Sequence, residues 1–154
     1  MTAPNVRVQT ESFDAGAEIA RLEQNRRDIG AIVAFTGLCR DEDGALAALE
    51  LEHYQGMAEA EISRIATQAL ERWPLQGLTV IHRYGTIKPG EKIVLVVTAA
   101  RHRGEAFAAA EFLMDYLKTS APFWKKERRV DGTNESWVGA KATDYAAAQR
   151  WSKT

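Results

Sequence analysis

The chain has 154 residues, 45% hydrophobic and 27% charged, with 20 basic against 21 acidic side chains and a formal net charge of −1. That size suits a single domain over residues 1–154, burying about 70% of its unfolded surface, and the charge balance excludes the broad positive face that long nucleic acid or an anionic membrane requires. A lone cysteine, Cys39, no apolar run near the roughly 20 residues of a membrane span, and no charged-then-apolar leader at Met1-Thr-Ala-Pro-Asn point to a cytoplasmic protein in a reducing compartment.

Val6 to Thr10 alternates weakly as a strand, Asp14 is placed to cap a short helix through Leu22, and Gly30-Ala-Ile-Val-Ala-Phe reads as a buried strand that Gly37 ends. In the next strand Leu49, Leu51 and His53 alternate with Glu50, Glu52 and Tyr54, the period of two of a half-buried sheet, before Gly56 opens a turn. Ala58 to Trp73 carries Ile62, Ile65, Ala66, Ala69, Leu70 and Trp73 on one helical stripe, which Pro74 stops. A strand from Leu78 to Tyr84 follows, then the Pro89-Gly90 turn and Ile93-Val-Leu-Val-Val-Thr, whose β-branched run predicts a central strand. A helix over Glu105 to Lys118 sets Phe107, Ala110, Met114 and Leu117 on a common face, and Pro122 blocks its continuation. Phe123 to Val130 and Ser136 to Val138 are placed to pair across the Asp131-Gly132 turn, and Tyr145 to Trp151 reads as a short terminal helix. Strands joined by short turns imply mostly antiparallel pairing, hence an α+β fold.

The positive charge is concentrated. Lys118, Lys125, Lys126, Arg128 and Arg129 surround Pro122 and the aromatic pair Phe123-Trp124, and a second knot, Arg101-His102-Arg103, stands at the far end of the preceding helix. The two knots are candidates for one anionic site. A lysine held among other cations loses proton affinity and can act as nucleophile or general base near neutral pH. Lys118 and Lys125 are therefore the candidate catalytic groups, set against the plain alternative of solvated surface lysines. Of Phe123 and Trp124, one ring can be buried and the other offered as a wall for a planar heterocycle, or both can be core. At His102-Arg103 a strand ends and a helix begins, where free backbone N–H groups and a guanidinium suit a phosphate. Arg40 adds a cation at the end of Phe35-Thr-Gly-Leu-Cys, with Asp41, Glu42 and Asp43 beside it as competing ion-pair partners.

Other chemistries find little support. The chain has no Gly-x-x-x-x-Gly-Lys or Gly-x-Gly-x-x-Gly loop and no Cys/His cluster of zinc spacing, and Ser120 belongs to no nucleophile motif. His53, His82 and His102 fall on separate strands or strand ends and read as partly buried structural histidines. No metal or cofactor is expected.

Five segments carry a family resemblance: Phe35-Thr-Gly-Leu-Cys-Arg40; Leu51-Glu-His-Tyr-Gln-Gly-Met57; His82-Arg-Tyr-Gly85 with Gly90-Glu91; Ala100-Arg-His-Arg103; and Met114-Asp-Tyr-Leu-Lys-Thr-Ser-Ala-Pro-Phe-Trp-Lys-Lys-Glu127. Together they resemble the large, catalytic subunits of molybdopterin synthase. The resemblance implies a hammerhead-like α+β fold, with two main helices packed on a mostly antiparallel sheet and a second small antiparallel sheet. It further implies a sulfurtransferase of molybdenum cofactor biosynthesis, which converts cyclic pyranopterin monophosphate into dithiolene-bearing molybdopterin. Sulfur would come from the C-terminal Gly-Gly thiocarboxylate of a small ubiquitin-like partner, in a heterotetramer built on a homodimer of the large subunit. Carried over to this chain, the resemblance makes Lys118 and Lys125 the essential lysines. It assigns Leu38, Cys39, Arg40, His102, Arg103, Lys126 and Glu127 with them to substrate binding. Leu38 stands where such proteins often carry a basic or polar residue, and Cys39 invites a sulfur-carrying role that a partner-borne sulfur makes unnecessary. The competing class is a non-catalytic phosphate- or nucleotide-binding module, which explains the cations and aromatics but not all five segments together.

Overall fold

The computed structural model describes residues 2–132 and 142–153. In chain order the elements are β1 (Asn5–Gln9), α1 (Ala15–Glu23), β2 (Ala31–Leu38), β3 (Leu46–His53), α2 (Met57–Arg72), β4 (Leu75–Arg83), β5 (Gly85–Ile87), β6 (Lys92–Ala100), α3 (Arg103–Thr119), β7 (Phe123–Arg129) and α4 (Ala142–Gln149), followed by a 3₁₀ turn over Arg150–Lys153. The expected pairing partner Ser136 to Val138 lies outside the described residues.

Two sheets result. The larger has the order β1-β4-β6-β2 and the smaller β5-β3-β7. Every pairing is antiparallel except β1 with β4, which run parallel. The unbroken apolar run of β6 places it inside the larger sheet, because both of its faces are covered. Val94 and Val96 pack towards α2 and α3 together with Ile62, Ile65, Phe112 and Leu113, while Leu95 and Val97 pack towards α1 with Phe13 and Ile81. Thr98, fully buried in the same strand, donates its hydroxyl to the Ala106 carbonyl at 2.7 Å, so no polar atom is stranded there. A separate apolar cluster of Cys39, Leu46, Leu49, Leu51 and Ile87 supports the smaller sheet.

Local signals account for most element ends. Asp14 caps α1 by accepting the Ala17 N–H at 3.1 Å. Gly56, with φ +84°, supplies the left-handed residue from which α2 starts. Two expectations need correction. Gly37 does not end β2; the strand runs on to Leu38 through a register shift, and a Cβ at position 37 would lie 2.7 Å from Val94 Cγ1. The glycine thus permits close packing on β6, and the shift turns Leu38 outward to 55% exposure. Phe107 is also not on the buried face of α3. It is 60% exposed, because the stripe against the sheet runs through Ala106, Ala109, Ala110, Leu113 and Leu117 and leaves position 107 on its flank. Among the described residues, no helix is long and apolar enough to cross a membrane.

Candidate active site

A cavity of about 450 Å³ opens at the seam of the two sheets, under the C-terminal end of α3. Its construction follows from the short link between α3 and β7. Ser120 N–H still bonds back to the Tyr116 carbonyl at 2.7 Å, and one residue beyond Pro122 the Phe123 N–H donates to the Ala121 carbonyl at 2.8 Å. The tight turn around the proline reverses the chain, so the last turn of α3 and the first residues of β7 face one space. Lys118 and Lys125 both line it.

β7 then sorts its side chains by parity. Phe123 and Lys125 face the cavity, whereas Trp124 sits on the other face, 38% exposed and edge-on to Tyr54 at 4.8 Å between centroids. The wall ring is therefore Phe123. It lies flat on the imidazole of His82, with centroids 3.9 Å apart and planes 13° from parallel, and His53 approaches it at 5.7 Å. Phe35 and Leu38 from the end of β2 complete the apolar side. α4 contributes Asp144 and Tyr145 to the lining. That helix is held in place from below: the Asp115 carboxylate of α3 accepts from Trp151 Nε1 at 2.7 Å and from Arg150 at 2.9 Å, and Trp151 packs edge-on against Trp73 and Phe112.

His82 was a structural histidine on sequence grounds; it is partly buried and also a wall of the cavity. The available signal was its parity. Leu78, Val80 and His82 alternate along β4 towards the α2–α3 side, which sets the imidazole beneath the end of α3. Burial pushes the imidazole pKa down to about 4. Lys118, Lys125 and His53 act in the same direction, against the Arg83 carbonyl, which favours the protonated ring. Phe35, Met114, Thr119, Asp144 and Tyr145 are further lining residues that sequence reasoning did not single out.

The remaining expected residues are spread more widely. Leu38 lines the cavity. Cys39 points inward, 2% exposed, with its thiol 3.8 Å from the Ile87 carbonyl, and burial followed by the carboxylates of Glu91 and Asp41 pushes its pKa up although Lys125 opposes them. A protonated, enclosed thiol is a poor nucleophile. Arg40 is exposed, and the adjacent Asp41 accepts from the Gly44 N–H at 3.0 Å to close its loop. Lys126 lies on the Trp124 face of β7; Glu127 shares the parity of Lys125, 3.5 Å from Arg129. Arg128 pairs with Glu50 at 2.5 Å.

His102 and Arg103 are at the other end of α3. Its 17 residues separate the two basic knots by about 25 Å. Within one chain they do not share a site. His102 instead borders a second cavity of about 410 Å³ with Arg101, Gln76, Pro74 and Glu105. Among the described residues no group of three or more His, Cys, Asp or Glu side chains could hold a metal ion.

Fold and cavity together define an α+β protein built around an aromatic-walled cavity that two lysines line. Comparison with known proteins is specific. A family model described as MoaE protein matches residues 8–120. The molybdopterin synthase catalytic subunit of Mesorhizobium japonicum is 69% identical over 149 residues, covering 97% of this chain and 94% of that protein. The structure of the molybdopterin biosynthesis MoaE protein from Burkholderia ambifaria superposes with a TM-score of 0.83 at 49% identity, over 98% of this chain and 99% of that one. The crystal structure of molybdopterin synthase from Staphylococcus aureus gives 0.75 at 30% identity, over 86% and 95%. The chain belongs to the MoaE family, the family of molybdopterin synthase catalytic subunits.

Proposed function

We propose that the pocket receives cyclic pyranopterin monophosphate and, beside it, the thiocarboxylated Gly-Gly tail of a small ubiquitin-like partner, and that it transfers two sulfurs to make the dithiolene of molybdopterin. The observation that carries this reading is the convergence of Lys118 and Lys125 on one aromatic-walled cavity. Flat apolar walls suit the heterocycle, and two ammonium groups suit its phosphate and the anionic tail. In each transfer a C–O bond of the pterin side chain gives way to C–S and the tail's acyl C–S bond gives way to C–O, so the oxygen lost by the pterin balances the one gained by the tail carboxylate, and protons move at both reactants. Lys118 serves as nucleophile or acid/base group, and Lys125 positions substrate and stabilises developing negative charge. Leu38 contributes apolar wall, Cys39 acts only as packing beneath it, and Arg40, Lys126 and Glu127 contribute charge around the mouth.

His102 and Arg103 reach such a pocket only from a second copy of the chain. The working unit is then a homodimer whose protomers exchange this basic knot, with one small partner on each large subunit in a cytoplasmic heterotetramer.

The test is reconstitution of the chain with thiocarboxylated partner and the pterin precursor. The wild-type protein forms the dithiolene product, and Lys118→Ala lowers turnover by about 10²–10⁴-fold while circular dichroism stays unchanged. No conversion by wild type, together with tight oligonucleotide or nucleotide binding, would establish the non-catalytic binding module instead.

A further inference from the structure

We propose that His82 is a substrate-binding, specificity-determining residue: its Nε2 atom accepts a hydrogen bond from an N–H donor of the bound heterocycle, between the two lysines. The inference deepens the pterin reading above and rests on it.

The geometry assigns the tautomer. His82 Nδ1 lies 2.8 Å from the Arg83 carbonyl, which can only accept, so Nδ1 carries the proton and Nε2 keeps its lone pair. Nε2 meets no hydrogen-bond partner among the described residues. The side chain that carries this lone pair lines the pocket. The ring does not swing freely, since one face is stacked on Phe123, itself flanked by His53, and His53 packs edge-on against Tyr84 at 4.3 Å. A fixed acceptor is thus presented beside two donors.

The chemistry of the pocket makes that acceptor useful. As ammonium groups Lys118 and Lys125 donate and do not accept, so in the binding step they take the anionic and carbonyl oxygens of a ligand and leave its N–H edge unmatched. A carboxylate between two ammonium groups would pair with them and lose its value to the ligand; a neutral imidazole stays available. The depressed proton affinity of His82 keeps it neutral at physiological pH, where a protonated ring would be a third cation. Asp144, half-buried on α4, is a further side-chain acceptor lining the pocket.

The experiment uses the large subunit assembled with its thiocarboxylated partner. His82→Phe keeps a flat ring on Phe123 and removes the acceptor; His82→Gln restores an acceptor oxygen near the Nε2 position. Expected is a KM for the pterin precursor about tenfold or more higher in His82→Phe, with recovery to within a few-fold of wild type in His82→Gln and no change in the KM for the partner. Unchanged precursor KM in His82→Phe, with wild type converting normally, overturns the role of His82 and leaves the pterin reading standing. Absence of conversion by wild type overturns the reading beneath it. Should His82→Phe fail to fold, wild-type protein labelled with ¹⁵N-histidine decides: adding the precursor shifts the unprotonated Nε2 resonance of His82 towards the hydrogen-bonded range, and an unmoved resonance at saturating precursor refutes the contact.

Discussion

The two ends of α3 carry similar basic clusters and do different things. At the C-terminal end Lys118 turns with Lys125 into an aromatic-walled cavity, while at the N-terminal end Arg101 and His102 border a second cavity with Gln76 and Glu105, and Arg103 is exposed. Both ends border cavities of similar volume, about 450 and 410 Å³; the walls differ, apolar and aromatic at the C-terminal end, polar and charged at the other. A cation among polar, wetted walls is screened by water and salt, whereas one beside apolar walls acts on its ligand through a lower effective dielectric. What creates the difference is the proline turn after α3, which folds a strand back over the helix end, and the second layer of chain from α4 and β2. The N-terminal knot is walled instead by Pro74, Gln76 and Glu105.

The largest test of this contrast, after Lys118→Ala, is Lys125→Ala. Loss of the cation that meets developing negative charge lowers kcat by about 10²–10³-fold, and a fall of less than tenfold would move Lys125 out of the catalytic pair. Arg103→Ala has a smaller expected effect, about 10–100-fold in the precursor's kcat/KM, because on the proposed reading it removes one charge-assisted contact to phosphate. Mixing sharpens the comparison. Arg103→Ala and Lys118→Ala proteins, each impaired alone, recover about a quarter of wild-type turnover when their protomers are exchanged, since half of the dimers then hold one intact site. No recovery after verified exchange would place both ends of α3 in service of separate sites.

The smallest expected effect is on stability. His82 titrates near 4 in the folded protein against about 6.5 in an unfolded chain, so between those values the unfolded state binds more protons. Its contribution is therefore fully present above pH 6.5 and is lost as pH falls towards 4, by at most about 3 kcal/mol. Denaturant titrations of wild type and His82→Phe at pH 7, 5.5 and 4.5 measure it: the stability difference between the two proteins narrows or reverses on acidification. A difference independent of pH would show that the ring is solvated. The charged groups that face the ring are Lys118, Lys125 and His53, all cationic when charged, and they push in the direction stated.

Much of the scaffold was legible because it rests on short-range signals. The stripe of α2, the β-branched run of β6, the Asp14 cap and the Pro122 stop each appear in the structure within a residue or two of the expected place. The misses are of one kind. Phe107 shares helical spacing with buried residues yet lies beyond the edge of what they pack against, and Gly37 reads as a terminator although its role is close approach to Val94. Both depend on the surface opposite, which spacing does not contain. His82 was underrated for the same reason: an imidazole in an apolar strand looks alike whether core or cavity faces it.

By itself, the sequence determined the elements, the α+β class and the concentration of cations around Pro122, because periodicity, caps and breakers act over a few residues. Through its specific segments it also indicated the family. Only the tertiary structure decided which cations share a space, that Phe123 rather than Trp124 is the aromatic wall, that Cys39 is sealed, and that His102 and Arg103 stand about 25 Å from Lys118. Those outcomes depend on strand parity, helix length and the layer packed opposite, and each is set by contacts between residues far apart in the chain.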